Sequence, residues 1–277
     1  MSRIIIVDSC AELNEEMIKQ NNVRKADFHI DLDGKHFLAN DEVNIDEFLD
    51  MMKNSKEVVR TAAPSPDAFY ELAKGHDEIY FITISSRLSG SYNSAVIAKR
   101  MLEEENPNVK IHVFDSKSAS NGETQIIRNI QNQFNLGKKF EEIVAFAEEK
   151  LAKMQTLFVL EDLDNLIKNG RMSKVAGFVA SALSIYPIGI AVDGKIDVKH
   201  KPRGIKNAVN KLVDTIGEIA DNLEDRVLYI THIRNMERAE TIKNKALEKY
   251  NFKNIEIFEG SALSTTYANR NGIIITF

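Results

Sequence analysis

The 277-residue sequence has a single cysteine, Cys10. No internal disulfide can form, and no thiol and histidine stand at metal-ligand spacing, so a reduced, cytoplasmic setting is expected and no metal site. Long apolar runs are also lacking. The run opening MSRIIIVDS reaches only about four apolar residues before Asp8, against the roughly twenty that span a bilayer. Neither a leader nor stable membrane insertion is expected, and contact with a membrane would be transient. Positive charge is in deficit: 36 Lys and Arg against 41 Asp and Glu leave a formal net charge of -5. Nucleic acid is therefore not expected as a partner, because neutralising phosphates needs a cationic surface. The chain has no G-x-x-x-x-G-K-[ST], no G-x-G-x-x-G and no G-x-S-x-G. It offers no standard loop for ATP or a dinucleotide and no nucleophile elbow, and no cofactor is expected.

What is present is an alternation of short β-branched runs with longer helical patterns, the mark of α/β organisation with a mostly parallel sheet. Strands are predicted at 3–7, 78–84 and 109–114, each running into polar residues: Asp8-Ser9, Ser85-Ser86 and Asp115-Ser116. In open parallel sheets, ligands bind just beyond such carboxyl ends. After about Leu151 the pattern changes. A strand is predicted at 156–160, and Val175, Phe178, Val179, Ala182 and Leu183 form one apolar helical stripe. Runs at 185–192 and 195–198 flank Asp193-Gly194, a hairpin dipeptide. A long helix at 204–222, then strand (226–231), helix (236–249) and strands at 254–258 and 272–277 complete the chain. The expected architecture is two packed α/β domains: 1–155 with a mostly parallel sheet and 156–277 with a mixed sheet.

Several serines read as helix caps: Ser9 and Ser120 in capping boxes, and Ser65 before Pro66. Two loops stand out as candidate sites. In Arg60–Pro66, two prolines hold the backbone extended and leave the Thr61 hydroxyl free to face a ligand. In Ile84–Tyr92, the densest hydroxyl cluster, Gly90 permits close backbone approach, and the helix beginning near Ser91 presents unpaired N–H groups that favour an anion. Helix capping by Ser89 and Ser91 is the competing explanation. An enzyme acting on a small acid or ester through Ser89 as nucleophile is the alternative in another class, although none of the six histidines sits in a recognisable partner motif. Lys195, Lys199, Lys201, Arg203, Lys206 and Lys211, with Lys168, Arg171 and Lys174, make a basic stretch, either solvated or a docking surface for an acidic partner.

Taken together, Ile6–Ser9, Thr61 with Pro64-Ser65, Ile84–Ser86, Leu88–Tyr92, Asp115-Ser116, Gly170–Lys174, Asp193–Lys195 and Arg203-Gly204 make the chain resemble the DegV family of bacterial fatty-acid-binding proteins from end to end. The resemblance implies a non-enzymatic carrier that holds a long-chain fatty acid in an interior apolar pocket and presents its carboxylate to a separate fatty acid kinase, a step toward phospholipid synthesis. It places the carboxylate on Thr61, Ser89 and the Gly90 N–H, with Ser86, Ser91 and Arg270 in support, and kinase docking on Arg171 and Arg203. Tyr267 stands where the family tends to carry a histidine; it can donate a hydrogen bond but carries no charge near neutral pH. The tunnel wall is expected from the 175–183 stripe and residues 185–190.

Overall fold

The computed structural model describes residues 2–20, 22–173 and 184–277. In its N-terminal part the elements run β1 (Arg3–Asp8), α1 (Glu15–Lys19), β2 (Val23–Ala26), β3 (His29–Leu32), β4 (Lys35–Leu38), α2 (Ile45–Asn54), β5 (Arg60–Ala62), α3 (Pro66–Ala73), β6 (Glu78–Thr83), α4 (Ser91–Glu105), β7 (Lys110–Asp115), α5 (Asn121–Asn135) and α6 (Phe140–Lys153). The C-terminal part continues with β8 (Thr156–Val159), α7 (Asp164–Lys168), β9 (Ile188–Val192), β10 (Lys195–His200), α8 (Ile205–Ile219), β11 (Val227–His232), α9 (Met236–Lys249), β12 (Asn254–Glu259), α10 (Ala262–Ala268) and β13 (Ile273–Thr276).

β2, β1, β6 and β7 form a wholly parallel sheet in that order. The unbroken apolar run Ile4–Val7 is what such a strand needs, because it is covered on both faces. Ile4 and Ile6 pack with Phe69 and Leu102 from α3 and α4. Ile5 and Val7 point the other way, onto Ile126, Ile130 and Ile143 from α5 and α6. The C-terminal sheet is mixed, in the order β10-β9-β8-β13-β11-β12, with β11 and β12 parallel and the remaining pairs antiparallel. Leu157, Val159, Ile188, Ile273 and Ile275 fill one face against Leu212, Val213 and Ile216 of α8 and Ile242 of α9. The opposite face carries Phe158, Leu160, Ile196 and Ile274 and turns toward the N-terminal part.

A third sheet, β4-β3-β5, is antiparallel and was not expected. Its strands, such as Lys35-His36-Phe37-Leu38, alternate too weakly to signal themselves. Their stability comes instead from burying Phe28, Ile30 and Leu32 with Phe48 of α2. The Asp33-Gly34 turn was the available clue: both residues have positive φ, as at the predicted Asp193-Gly194 hairpin.

Two predicted caps are corrected. α1 starts at Glu15 on an Asn14 cap, so Ser9 caps nothing; its Oγ accepts from the Phe28 N–H at 2.9 Å. Ser120 precedes α5, but its hydroxyl makes no cap bond and donates to Glu12 Oε1 at 3.0 Å. Ser65 does cap α3, accepting from the Ala68 N–H at 3.2 Å. The predicted run 185–192 is a strand only from Ile188, since Pro187 has no N–H for the ladder; Ile185 makes a single bridge to Arg203.

Hydrogen bonds join the carboxyl ends of the parallel strands to the C-terminal part. Ser85 Oγ donates to Gly194 O at 2.7 Å, Ser118 Oγ and Thr156 Oγ1 lie 2.6 Å apart, and Asn121 Nδ2 donates to Thr231 Oγ1 at 2.6 Å. Between these ties lies a cavity.

Candidate functional site

The cavity, of about 100 Å³, is bounded by Phe28, Thr61, Ile84, Leu88 and Ser89 from one side and by Phe158, Leu160, Leu166, Arg171, Ile196, Leu263, Tyr267 and Ile274 from the other. One water needs only ~10–15 Å³, so several would fit, yet the walls are mostly hydrocarbon. Several bordering hydroxyls are already engaged. Ser118 and Thr156 bond each other, and Ser264 Oγ donates to Glu12 at 2.6 Å.

Of the remaining polar residues on the cavity's border, Lys117 and Lys195 are exposed, Lys117 pairing with Asp193 at 3.2 Å, and the others gather at one place. Thr61 sits in β5 opposite Ile30, and Tyr267 lies near the end of α10. Thr61 Oγ1 and Tyr267 Oη are 2.7 Å apart, and either can donate. The Arg171 guanidinium lies 5.8 Å from the centre of the Tyr267 ring, within cation–π range. Its Nε donates to Leu88 O at 3.2 Å and its Nη1 to Asn169 O at 2.8 Å, leaving Nη2 with no protein acceptor among the described residues. Ser89 follows Leu88 directly; its Oγ accepts from the Ser91 N–H at 3.2 Å and keeps its proton available. Two hydroxyls, a phenol and a half-buried guanidinium thus face the end of an apolar space, a donor set suited to a carboxylate or phosphate oxygen. No carboxylate borders the cavity among the described residues.

Other residues predicted from sequence fall elsewhere. Gly90 stands before α4, exposed and outside the cavity lining, with its N–H pointing at no protein acceptor among the described residues. Ser86 is exposed, and its hydroxyl donates to Asp115 Oδ2 at 2.5 Å. Ser91 is buried and donates to Asp8 Oδ2 at 2.6 Å, so it supports the loop from beneath. Arg270 reaches Asp46 at 3.5 Å on the surface and does not border the cavity; Arg171 occupies the place its charge was expected to fill. Arg203 is exposed, as are Lys199 and Lys206. Lys168 and Lys211 are paired with Asp164 and Glu218. The stripe expected on 175–183 and Lys174 lie outside the described residues.

Beneath the loops is an acidic cluster that the sequence reading did not assemble. Asp8, Cys10 and Glu123 bring one donor atom each within 4.8 Å of one another, all buried. Asp8 Oδ1 accepts from the Cys10 N–H at 3.1 Å; Oδ2 takes the Ile84 N–H at 2.9 Å and the Ser91 hydroxyl. Burial raises the Asp8 pKa, and these bonds oppose the shift. Neither Glu123 oxygen has a hydrogen-bond partner among the described residues, and burial together with the neighbouring Asp8 charge drives its pKa well up. An unpaired buried carboxylate neutralises, so Glu123 is held as the acid. Glu12 is a further buried carboxyl beside this cluster. It accepts from Ser120 Oγ, Ser264 Oγ and the Ser261 N–H, and burial pushes its pKa up to about 7 against those bonds. Because Ser261 caps α10, Glu12 ties the helix carrying Tyr267 to the N-terminal part.

The chain is similar to known proteins over nearly its whole length. The model of an uncharacterised family named DegV fits residues 3–276. A DegV domain-containing protein of Streptococcus pyogenes is 33% identical over 276 residues, covering 99% of this chain and 98% of its own length. A DegV-family crystal structure from Ruminococcus gnavus, described with vaccenic acid, superposes with a TM-score of 0.96 at 37% identity, covering 100% of both chains. The fatty acid kinase B3 protein of Streptococcus pneumoniae, loaded with linoleic acid, gives a TM-score of 0.92 at 29% identity, covering 100% of this chain and 99% of its own. With the family model spanning residues 3–276 and near full-length similarity at 33% identity, the chain belongs to the DegV family.

Proposed function

We propose that this protein binds a long-chain fatty acid in the apolar cavity, directs its carboxylate to Thr61, Ser89, Tyr267 and Arg171, and presents that carboxylate to a separate fatty acid kinase. The observation that carries the reading is the segregation of the walls: carbon over most of the surface, and at one place the Thr61–Tyr267 contact with Arg171 above the ring. Fatty acids in the similar structures from R. gnavus and S. pneumoniae support the ligand class, and the kinase-associated name of the latter supports the partner.

The energetics divide the labour. At roughly 0.8 kcal/mol per buried methylene, a chain of about fourteen methylenes grosses on the order of 11 kcal/mol, from which ordering costs are subtracted. A hydrogen bond to a charged carboxylate adds roughly 1.5–3 kcal/mol. The chain supplies affinity and the polar groups supply orientation. Ser89 as an enzymatic nucleophile gains no support, because its hydroxyl contacts no base and no histidine borders the cavity among the described residues.

The test is native mass spectrometry of protein as purified and after delipidation and exposure to fatty acids, followed by incubation with ATP and a fatty acid kinase. A co-purifying or re-bound fatty acid that becomes an acyl phosphate is expected. Protein that neither carries nor takes up fatty acid would sink the proposal, and uptake without phosphorylation would remove the kinase role.

A further inference from the structure

Phe158, in β8, pairs with Gly189 of β9 on one side and with Ile274 of β13 on the other. Residues directly opposite one another across strands point to the same face, so a side chain at 189 would project onto the cavity face. The Phe158 ring already occupies that position. A β-carbon on Gly189 would lie 2.0 Å from Phe158 Cζ and 2.3 and 2.4 Å from the two Cε atoms. The backbone is not the reason for glycine here, since Gly189 is absent from the residues with positive φ. Glycine inside a strand weakens it, and its use commonly marks close approach by another group. The approaching group is the ring, which is 7% exposed and borders the cavity beside Leu160, Ile196 and Ile274.

We propose that Gly189 is a specificity-determining residue: by leaving its face of β9 bare, it lets Phe158 lie against the sheet and so sets how much acyl chain the cavity holds. The inference rests on the reading of the cavity as a fatty acid site. Any β-carbon at 189 removes the ring's resting place. With β9 behind it and paired strands on both sides, the ring's free direction is into the cavity. Phe158→Leu acts in the opposite sense, because a shorter branched side chain leaves room both in the cavity and above the sheet.

The experiment offers delipidated parent, Gly189→Ala, Phe158→Leu and the double variant a mixture of saturated fatty acids of graded length, and reads bound ligands by native mass spectrometry. Gly189→Ala should shift occupancy to shorter chains, with about a four-fold loss of affinity for each methylene shut out. Phe158→Leu should shift it to longer chains, and the double variant should return toward the parent. A folded Gly189→Ala protein with the parent's ligand profile overturns the proposal. If that variant does not fold, an unchanged profile for Phe158→Leu overturns it. A parent that binds none of the acids defeats the fatty acid reading itself, and this inference with it.

Discussion

The two faces of the six-stranded sheet are built from alternate residues of the same strands, yet they do different work. Leu157, Val159, Ile273 and Ile275 meet α8 and α9 and are sealed. Phe158, Leu160 and Ile274 cluster with Leu49 of α2, Leu166 of α7 and Ala268 of α10 and border the hydroxyl-rich loops of the N-terminal part, and there the packing leaves a cavity. Both faces are apolar, and sequence periodicity alone does not distinguish them. The opposing elements decide: the long helices α8 and α9 present continuous ridges of side chains that fill their grooves, whereas the short helices α7 and α10, with loops tied together by hydroxyl and carboxyl groups, span the other face without filling it.

The sharpest way to break this comparison is to truncate one leucine on each side. Leu212→Ala removes a fully buried side chain of α8 and should cost toward the upper end of about 2–5 kcal/mol. Leu160→Ala borders existing space, loses fewer contacts, and should fall at the lower end. Denaturant unfolding of both variants checks this, and equal losses would mean the faces are equivalently packed. Next in size is a pH effect from Glu12. Its folded pKa of about 7 lies above the ordinary 4.5, so the native state binds the proton more tightly and the contribution is present at low pH. As pH rises from about 4.5 through 7 that contribution is lost, on the order of 3 kcal/mol. Unfolding free energies measured from pH 5 to pH 8 should decline, and Glu12→Gln should remove this part of the slope; an unaltered slope would assign it to other groups.

Smaller effects are expected where orientation rather than packing is at stake. Thr61→Ala with Ser89→Ala should lower acyl phosphate formation more than fatty acid affinity, by about 1.5–3 kcal/mol for each lost bond to the carboxylate. Equal phosphorylation by variant and parent would refute the assignment. Smallest in its effect on the fold, Arg203→Glu should slow kinase-dependent turnover at unchanged lipid content, read at two ionic strengths. Unchanged turnover would return Arg203 to the solvated surface.

Much of the architecture was legible in the sequence because local chemistry and tertiary demand coincided. Ile4–Val7 could serve only in a strand covered on both faces, and Asp193-Gly194 announced its hairpin. The segments carrying Thr61 and Ser89 were found for the same reason, since strand ends, prolines and hydroxyls are local signals, although Thr61 proves to lie within β5. What stayed hidden depends on distant partners. The Thr61–Tyr267 contact spans 206 positions. Arg171 read as part of a basic surface, but its guanidinium is drawn over the Tyr267 ring by carbonyls that only the fold provides. Ser9 and Ser120 matched helix-start patterns, yet tertiary partners, Phe28 and Glu12, claimed their oxygens.

Cys10, the lone thiol, borders the cavity and is held in its protonated form by burial and by the acidic residues around it. The thiolate, not the thiol, is the nucleophile that attacks an alkylating reagent, so modification must wait for the protein to open. Its labelling rate becomes a clock for that opening, and a bound acyl chain, by filling the space beside the sulfur, should slow the clock without any reporter group being added.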